Sequence, residues 1–279
     1  MERSRIAINP HPGQDELTVL FAGESATFPR HAIGPRIHDY YLIHFVLSGK
    51  GRFVSRGKQY RLSAGESFFI FPDEVVSYES DEQDPWRYRW IALRGAAAPR
   101  LMDMLNVSPD KPVAVAANPR KTAADYRKMI RCLEQGGAGS DLQASGYARL
   151  ILAGYIRGSE TFSVHNDNSI ARKQVEQAMR YMSLQYQQPL SIEHIAQESG
   201  YHRTHFCKIF KQVTGVSPYQ YLTLIRMNQA ARLLKERLPV QQVASAVGYS
   251  DPLYFSKQFR KHYGMPPSRY IHEHPLSKT

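Results

Sequence analysis

Leu190-Ser-Ile-Glu-His-Ile195-Ala196-Gln-Glu-Ser-Gly200-Tyr201 is echoed downstream by Leu238-Pro-Val-Gln-Gln-Val243-Ala244-Ser-Ala-Val-Gly248-Tyr249. A second echo follows. Phe206-x-x-x-Phe210-x-x-x-x-Gly215-x-x-Pro218 returns as Phe255-x-x-x-Phe259-x-x-x-x-Gly264-x-x-Pro267, with one extra residue inserted between Tyr249 and Phe255. The unit is too short for a domain and too few copies exist for a solenoid. Each copy reads as helix, glycine turn, helix, the pattern that sets a second helix into a DNA major groove.

In the first copy Ser191 caps a helix whose inward face is Ile192, Ile195 and Ala196, and Gly200 makes a turn that a Cβ would strain. Phe206, Ile209, Phe210 and Val213 then recur at i, i+3, i+4, i+7 as core. Arg203, Thr204, Lys208, Lys211 and Gln212 take the opposite face. His205 borders the apolar stripe, and Cys207 reads as a small packing residue. In the second copy Val240, Val243, Ala244 and Val247 face inward, and Asp251-Pro252 is a cap followed by a first-turn proline. Phe255, Phe259 and Tyr263 form its stripe. Ser250, Tyr254, Ser256, Lys257, Arg260 and Lys261 lie outside, with the Asp251 cap at their edge. Between the copies, Leu222, Ile225, Gln229/Ala230 and Leu233 align along an amphipathic helix that fixes their spacing.

The charge distribution agrees. The chain of 279 residues has formal charge +11, and from Ser169 onward it holds 15 Lys/Arg against 6 Asp/Glu. A basic C-terminal third beside a near-neutral remainder fits a nucleic-acid-binding module joined to another domain. Cys132 and Cys207 form neither a disulfide framework nor a zinc spacing. Met1-Glu-Arg-Ser-Arg is followed by no apolar run, and no stretch approaches the ~18 apolar residues of a membrane helix. A cytoplasmic protein without a membrane segment is expected.

Residues 15–95 read as short strands divided by turns such as Ser48-Gly-Lys-Gly51 and Ala64-Gly65, which suggests a small barrel. Helical periodicity takes over at 121–158, with Tyr126, Met129, Ile130 and Leu133 on one stripe. After a break at Gly136-Gly-Ala-Gly139, Tyr147, Leu150, Ile151 and Tyr155 share another face. This pair is expected to pack on the barrel and to dimerise. The fold expected is α+β in two domains: a cupin-like β-barrel with a helical pair over 1–160, a polar linker over 161–169, and an all-α double helix-turn-helix domain over 170–279.

Residues 172–272 resemble the DNA-binding domain of AraC/XylS-family transcriptional regulators. The resemblance is strongest in Val243-Ala244-x-x-Val247-Gly248-Tyr249-Ser-Asp251-x-x-Tyr254-Phe255-Ser-Lys257-x-Phe259-Arg-Lys261-x-x-Gly264-x-x-Pro267. It departs at His202, where the family usually caps with Ser, and at Ile271, where Arg often follows the Tyr. The resemblance implies two recognition helices in successive major grooves of double-stranded DNA. Arg203 can then read guanine, contact phosphate or stay solvated, while Lys208, Lys257 and Lys261 suit phosphates.

The N-terminal part resembles the cupin-like sensor domain of the same family, through His38-x-Tyr40-x-Leu42-Ile43, Ala64-Gly65-Glu66-x-Phe68-x-Ile70-Phe71-Pro72 and Pro85-Trp86-x-Tyr88-x-Trp90. What it implies is a small-molecule effector, a sugar above all. By position Arg36, Tyr78 and Trp90 would contact it, and His38 and Trp86 are further candidates. The tryptophans can equally be barrel core, and Arg36 a surface ion-pair residue. Val76-Ser77 stands where the family often has a His before Tyr78. The family also implies a homodimer and an activator that works with RNA polymerase. A ligand-independent DNA-binding protein whose barrel only dimerises is the alternative. A metal-dependent cupin enzyme would need a third ligand beside His38 and His44, and none follows between Arg52 and Trp90. Glu66 sits in a glycine turn, where capping is the commoner role. No catalytic triad, P-loop or dinucleotide fingerprint is present, so neither enzymatic activity nor a cofactor is expected.

Overall fold

The computed structural model describes residues 3–10, 12–13, 15–156 and 170–273. The chain divides into two compact units, Met1–Asn166 and Asp167–Thr279. The expected linker, 161–169, lies outside the described residues.

In the first unit, strands β1 (Arg3–Ile8), β2 (Thr18–Ala26), β9 (Arg87–Arg94), β4 (Tyr41–Ser48), β7 (Glu66–Ile70) and β10 (Val113–Val115) form one antiparallel sheet in that order. Strands β3 (Ala32–Arg36), β8 (Val76–Ser80), β5 (Lys50–Ser55) and β6 (Lys58–Ser63) form a second. At the centre of the larger sheet β4 and β7 are buried on both faces, so they read as near-continuous apolar runs. Along β4, Ile43 and Phe45 join a core with Phe69, Ile91 and Leu93 beneath the helices. Leu42 and Val46 join Phe53, Phe68, Tyr88 and Trp90 between the sheets. β1, β10 and the short helix α1 (Ala98–Met104) lie outside the range expected to be strand.

Helix α2 (Pro119–Gln135) starts at Asn118, whose side chain accepts from the Lys121 amide at 3.0 Å, and it buries Tyr126, Met129, Ile130 and Leu133. Helix α3 (Ser140–Ala153) corrects the expected face. Ala144, Ala148, Ile151 and Leu152 turn inward, while Leu150 is 48% exposed and Tyr155 is buried beyond the helix end. Alanines win these positions because α2 and α3 pack closely, and small side chains permit the approach.

The second unit comprises α4 (Ile170–Gln185), α5 (Ile192–Glu198), α6 (Arg203–Thr214), α7 (Pro218–Lys235), α8 (Val240–Ala246), α9 (Pro252–Tyr263) and α10 (Pro267–Glu273). The pairs α5–α6 and α8–α9 are the two helix-turn-helix units. Both turns close alike: the Tyr201 amide donates to the Ala196 carbonyl and the Tyr249 amide to that of Ala244, each at 2.9 Å. Ser217 and Gln220 make a reciprocal capping box at the start of α7. This helix buries more than the expected stripe, adding Tyr221, Leu224, Met227, Ala231 and Leu234. The reason is double duty. Tyr221 meets Phe210 of the first helix-turn-helix edge-on at 5.4 Å, while Met227, Ala230, Ala231 and Leu234 pack with Val243, Val247, Phe255 and Phe259 of the second helix-turn-helix. Among the described residues no helix is long and apolar enough to cross a membrane.

Candidate nucleic-acid interface and aromatic barrel lumen

On α6, Phe206, Phe210 and Thr214 are buried, and Arg203, Thr204, His205, Lys208, Lys211 and Gln212 are exposed. Ile209 and Val213, expected as core, are only partly buried. At 100° per residue, Thr204, Lys208, Lys211 and Gln212 lie opposite the two phenylalanines. Arg203 sits in the first turn with its guanidinium 3.9 Å from Glu193 of α5. The His205 ring rests on Tyr201 at 5.3 Å. His202 occupies the cap position with no side-chain hydrogen bond.

On α9 the same construction holds with residues shifted by the inserted one. The insertion falls in the turn: His202 follows Tyr201 directly, whereas Ser250 separates Tyr249 from its cap, Asp251. Leu253, Lys257, Arg260 and Lys261 are exposed and occupy the positions of Thr204, Lys208, Lys211 and Gln212. Leu253 was absent from the sequence-derived set. Its signal was the repeat itself, since it stands where Thr204 does, and it is 76% exposed. Two members of that set are engaged elsewhere. The Asp251 carboxylate accepts from the Leu253 amide at 2.8 Å, and the Ser256 hydroxyl donates to the Pro252 carbonyl at 2.9 Å. Ser250 is exposed in the turn. Tyr254 is exposed too, and its hydroxyl is hydrogen-bonded to that of Tyr219, in the first turn of α7, at 3.0 Å.

Arg226 secures the second turn from behind. Its Nε donates to the Tyr186 carbonyl and its Nη2 to that of Gln188, each at 2.9 Å, while the guanidinium lies 5.4 Å from the Tyr249 ring centre. Gly248 passes just beneath, at φ 84°. A Cβ there would stand 2.8 Å from the Tyr186 carbonyl oxygen.

The interior between the two sheets of the first unit, its lumen, is filled by a buried aromatic cluster centred on His44 of β4. Its ring stacks on Phe68 at 4.4 Å and lies 5.1 Å from Tyr78, 5.0 Å from Tyr88 and 6.2 Å from Trp90. Trp86 stacks on the other part of the group, 5.6 Å from Phe68. Both indoles need a glycine beneath them: a Cβ on Gly23 would stand 2.3 Å from Trp90, and one on Gly51 2.2 Å from Trp86. Three of the five expected ligand contacts, Tyr78, Trp86 and Trp90, are thus brought together. Arg36 ends β3 and is exposed; His38 is partly buried beyond it. Nδ1 of His38 and the Tyr40 hydroxyl are hydrogen-bonded at 3.0 Å. Burial, then the Arg36 charge, pushes His38 down to about 4. Burial, then His38, drives His44 well below the usual histidine range. His44 was missed as a lumen group because Ile43 and Phe45 flank it in an apolar run; alternation with Leu42 and Val46 was the available signal, as alternation with Trp86 and Trp90 was for Tyr88.

Two buried polar atoms in this group, His44 Nδ1 and Trp86 Nε1, find no hydrogen-bond partner among the described residues. His38 and His44 do not converge with a third ligand: among the described residues no three His, Cys, Asp or Glu are grouped to hold a metal. Glu66 closes its turn, accepting from the Ser63 amide at 2.7 Å and hydroxyl at 2.9 Å.

Comparison with known proteins matches residues 18–152 to the AraC-like ligand binding domain and residues 195–273 to a helix-turn-helix domain. The Msm operon regulatory protein of Streptococcus mutans is 27% identical over 92% of this chain and 93% of its own. The lactose operon transcription activator of Staphylococcus xylosus is 28% identical over 85% of each chain. The raffinose operon transcriptional regulatory protein RafR of Pediococcus pentosaceus is 27% identical over 91% and 93%. The crystal structure of ToxT from Vibrio cholerae shares the fold, with a TM-score of 0.53 over 99% of both chains at 14% identity.

Proposed function

Because the chain belongs to the AraC/XylS family of transcription regulators, we propose that it is a homodimeric activator that answers to a sugar held in the aromatic lumen. The observation that carries the sugar is the pair of unpartnered buried atoms, His44 Nδ1 and Trp86 Nε1, set among ring faces. Buried polar groups nearly always have partners, and an unsatisfied pair marks a place for one. A carbohydrate offers both things such a lumen asks for: hydroxyls for the polar atoms and an apolar face for Trp90 and Tyr78. His44, held neutral, presents one donor and one acceptor nitrogen to such hydroxyls. Arg36 and His38 supply further polar contacts at one end. Operons named for lactose and raffinose in the relatives support the same class of effector.

Output is through DNA. Lys208, Lys211, Lys257, Arg260 and Lys261 contact phosphates and set affinity. Thr204, His205, Leu253, Tyr254 and, in one of its open roles, Arg203 face base edges. The two faces differ, so each helix reads a different half of an asymmetric site. Dimerisation uses α3, where Leu142, Gly146 and Leu150 make an outward stripe, with the leucines 74% and 48% exposed. The output is activation, the role named in the lactose operon relative, and we infer that it works through RNA polymerase.

The test is built into the chain. Its two tryptophans, Trp86 and Trp90, both line the lumen. Titration of the full-length protein with a panel of mono-, di- and trisaccharides should change tryptophan emission saturably for at least one sugar, and that sugar should alter affinity for DNA. If emission and DNA affinity stay constant across the panel, the barrel serves dimerisation alone.

A further inference from the structure

The first unit carries a second cleft, on the opposite face of the larger sheet from the lumen. Its floor is a row of charged residues placed by strand register: Arg5 of β1 lies beside Glu24 of β2, which lies beside Arg89 of β9. Arg87 stands on the same face one step along. Its wall is α2, through Arg127, Ile130 and Arg131, and the space between measures about 610 Å³. Five arginines therefore surround one cleft with a single carboxylate, Glu24, among its lining residues.

The carboxylates do not neutralise them. Glu24 receives both Arg87 and Arg89, and Arg5 is drawn to Glu134 at the rim. Those two arginines hold Glu24 below the ordinary carboxylate range against the opposing effect of burial. Arg127 and Arg131 pair with no carboxylate among the described residues. Arg89 is 7% exposed and fixed in place, with Nε on Glu24 at 2.7 Å and Nη1 donating to the Ala123 carbonyl at 2.6 Å. Like charges gathered in a partly enclosed site repel, and packing alone gives no reason to assemble them here. Planar guanidinium forks converging on one space suit the oxygens of a phosphate.

We propose that this cleft is an anion-binding site for a small phosphorylated metabolite, separate from the lumen. The volume suits a molecule of sugar-phosphate size, and the surplus of positive charge suits a phosphate dianion. The two sites lie back to back across β9: Tyr88 and Trp90 face the lumen, Arg87 and Arg89 the cleft. A phosphate held by Arg89 and Arg127 together would tie β9 to α2. Nothing in this proposal depends on the sugar assigned to the lumen.

The test uses the full-length protein and calorimetric titration with inorganic phosphate, glucose 6-phosphate and unphosphorylated glucose. Arg127 and Arg131 are exposed, so R127A/R131A is expected to fold. Saturable binding of glucose 6-phosphate, weakened by about tenfold or more in R127A/R131A and retained in K257A/K261A, is the expected result. Equal weakening of inorganic phosphate would identify the phosphoryl group as the recognised element; binding of glucose 6-phosphate alone would add the sugar to it. The proposal fails if neither phosphate compound binds wild-type protein, if R127A/R131A binds as tightly as wild type, or if binding is lost instead in K257A/K261A, which would put the anion on the DNA-binding unit.

Discussion

Lys257 and Lys261 stand one helical turn apart on the outer line of α9, opposite Phe255 and Phe259, and neither is ion-paired among the described residues. Replacing both with alanine removes two cations without disturbing the core beneath. Each phosphate neutralised on duplex DNA contributes about 0.9 to the slope of log affinity against log salt. The double variant should therefore lose about 1.8 from that slope. Between roughly 50 and 200 mM salt, a fourfold range, this corresponds to about a twelvefold change in the ratio of wild-type to variant affinity. The variant would be weakest relative to wild type at low salt and approach it as salt rises. Fluorescence anisotropy on a labelled random-sequence duplex is sufficient, because the effect carries no base specificity. Thermal melts of the variant should match wild type within about 0.5 kcal/mol, the usual range for surface changes. An unchanged slope at matched stability would remove both lysines from the phosphate contacts and refute the orientation assigned to α9.

Other outcomes can be checked alongside. If Leu253 faces the base edges as proposed, its side chain would meet a thymine methyl, and Leu253→Ser should relax a preference for thymine at one position of the selected DNA site by about 1 kcal/mol; an unaltered base preference in a selection experiment would exclude the contact. Gly248→Ala should destabilise the DNA-binding unit by roughly 1–3 kcal/mol, because φ is positive and the new Cβ would approach the Tyr186 carbonyl; a melt indistinguishable from wild type would contradict this. His38 and His44 are held below the free value of about 6.5, so the unfolded chain binds more protons than the folded one below that pH. Stability of the first unit should then fall as pH drops from about 6.5 towards 4, by at most about 1.4 kcal/mol per pH unit for each histidine. His44→Leu should flatten the profile, and equal slopes in both proteins would overturn the assignment.

The double helix-turn-helix was legible in the sequence because each copy combines a 3.6-residue apolar period with a glycine turn and a cap. Even the inserted residue was countable, although only the structure puts it in the turn as Ser250. The barrel was harder. Its central strand β4 is buried on both faces, so Ile43 and His44 sit in one unbroken buried run while facing different cores. The inward face of α3 misled for another reason: Ala144 and Ala148 outrank Leu150 where two helices cross closely, which a hydrophobicity pattern does not register. The arginine cleft was invisible in principle. Arg5, Glu24 and Arg89 become neighbours only through the pairing of β1 with β2 and of β2 with the distant β9.

The grip of Arg226 on Tyr186, Gln188 and Tyr249, together with the burial of α7 against both helix-turn-helix pairs, has a consequence for the genome rather than for the protein. Two reading heads joined by an unyielding spacer act as a ruler. A DNA double helix turns once in about 10.5 base pairs, so the two half-sites must keep one phase as well as one sequence. Inserting about half a turn between them would rotate one half-site to the far side of the duplex, and no flexing of the spacer would recover it. Binding sites for this chain should therefore tolerate changes of letter more readily than changes of length.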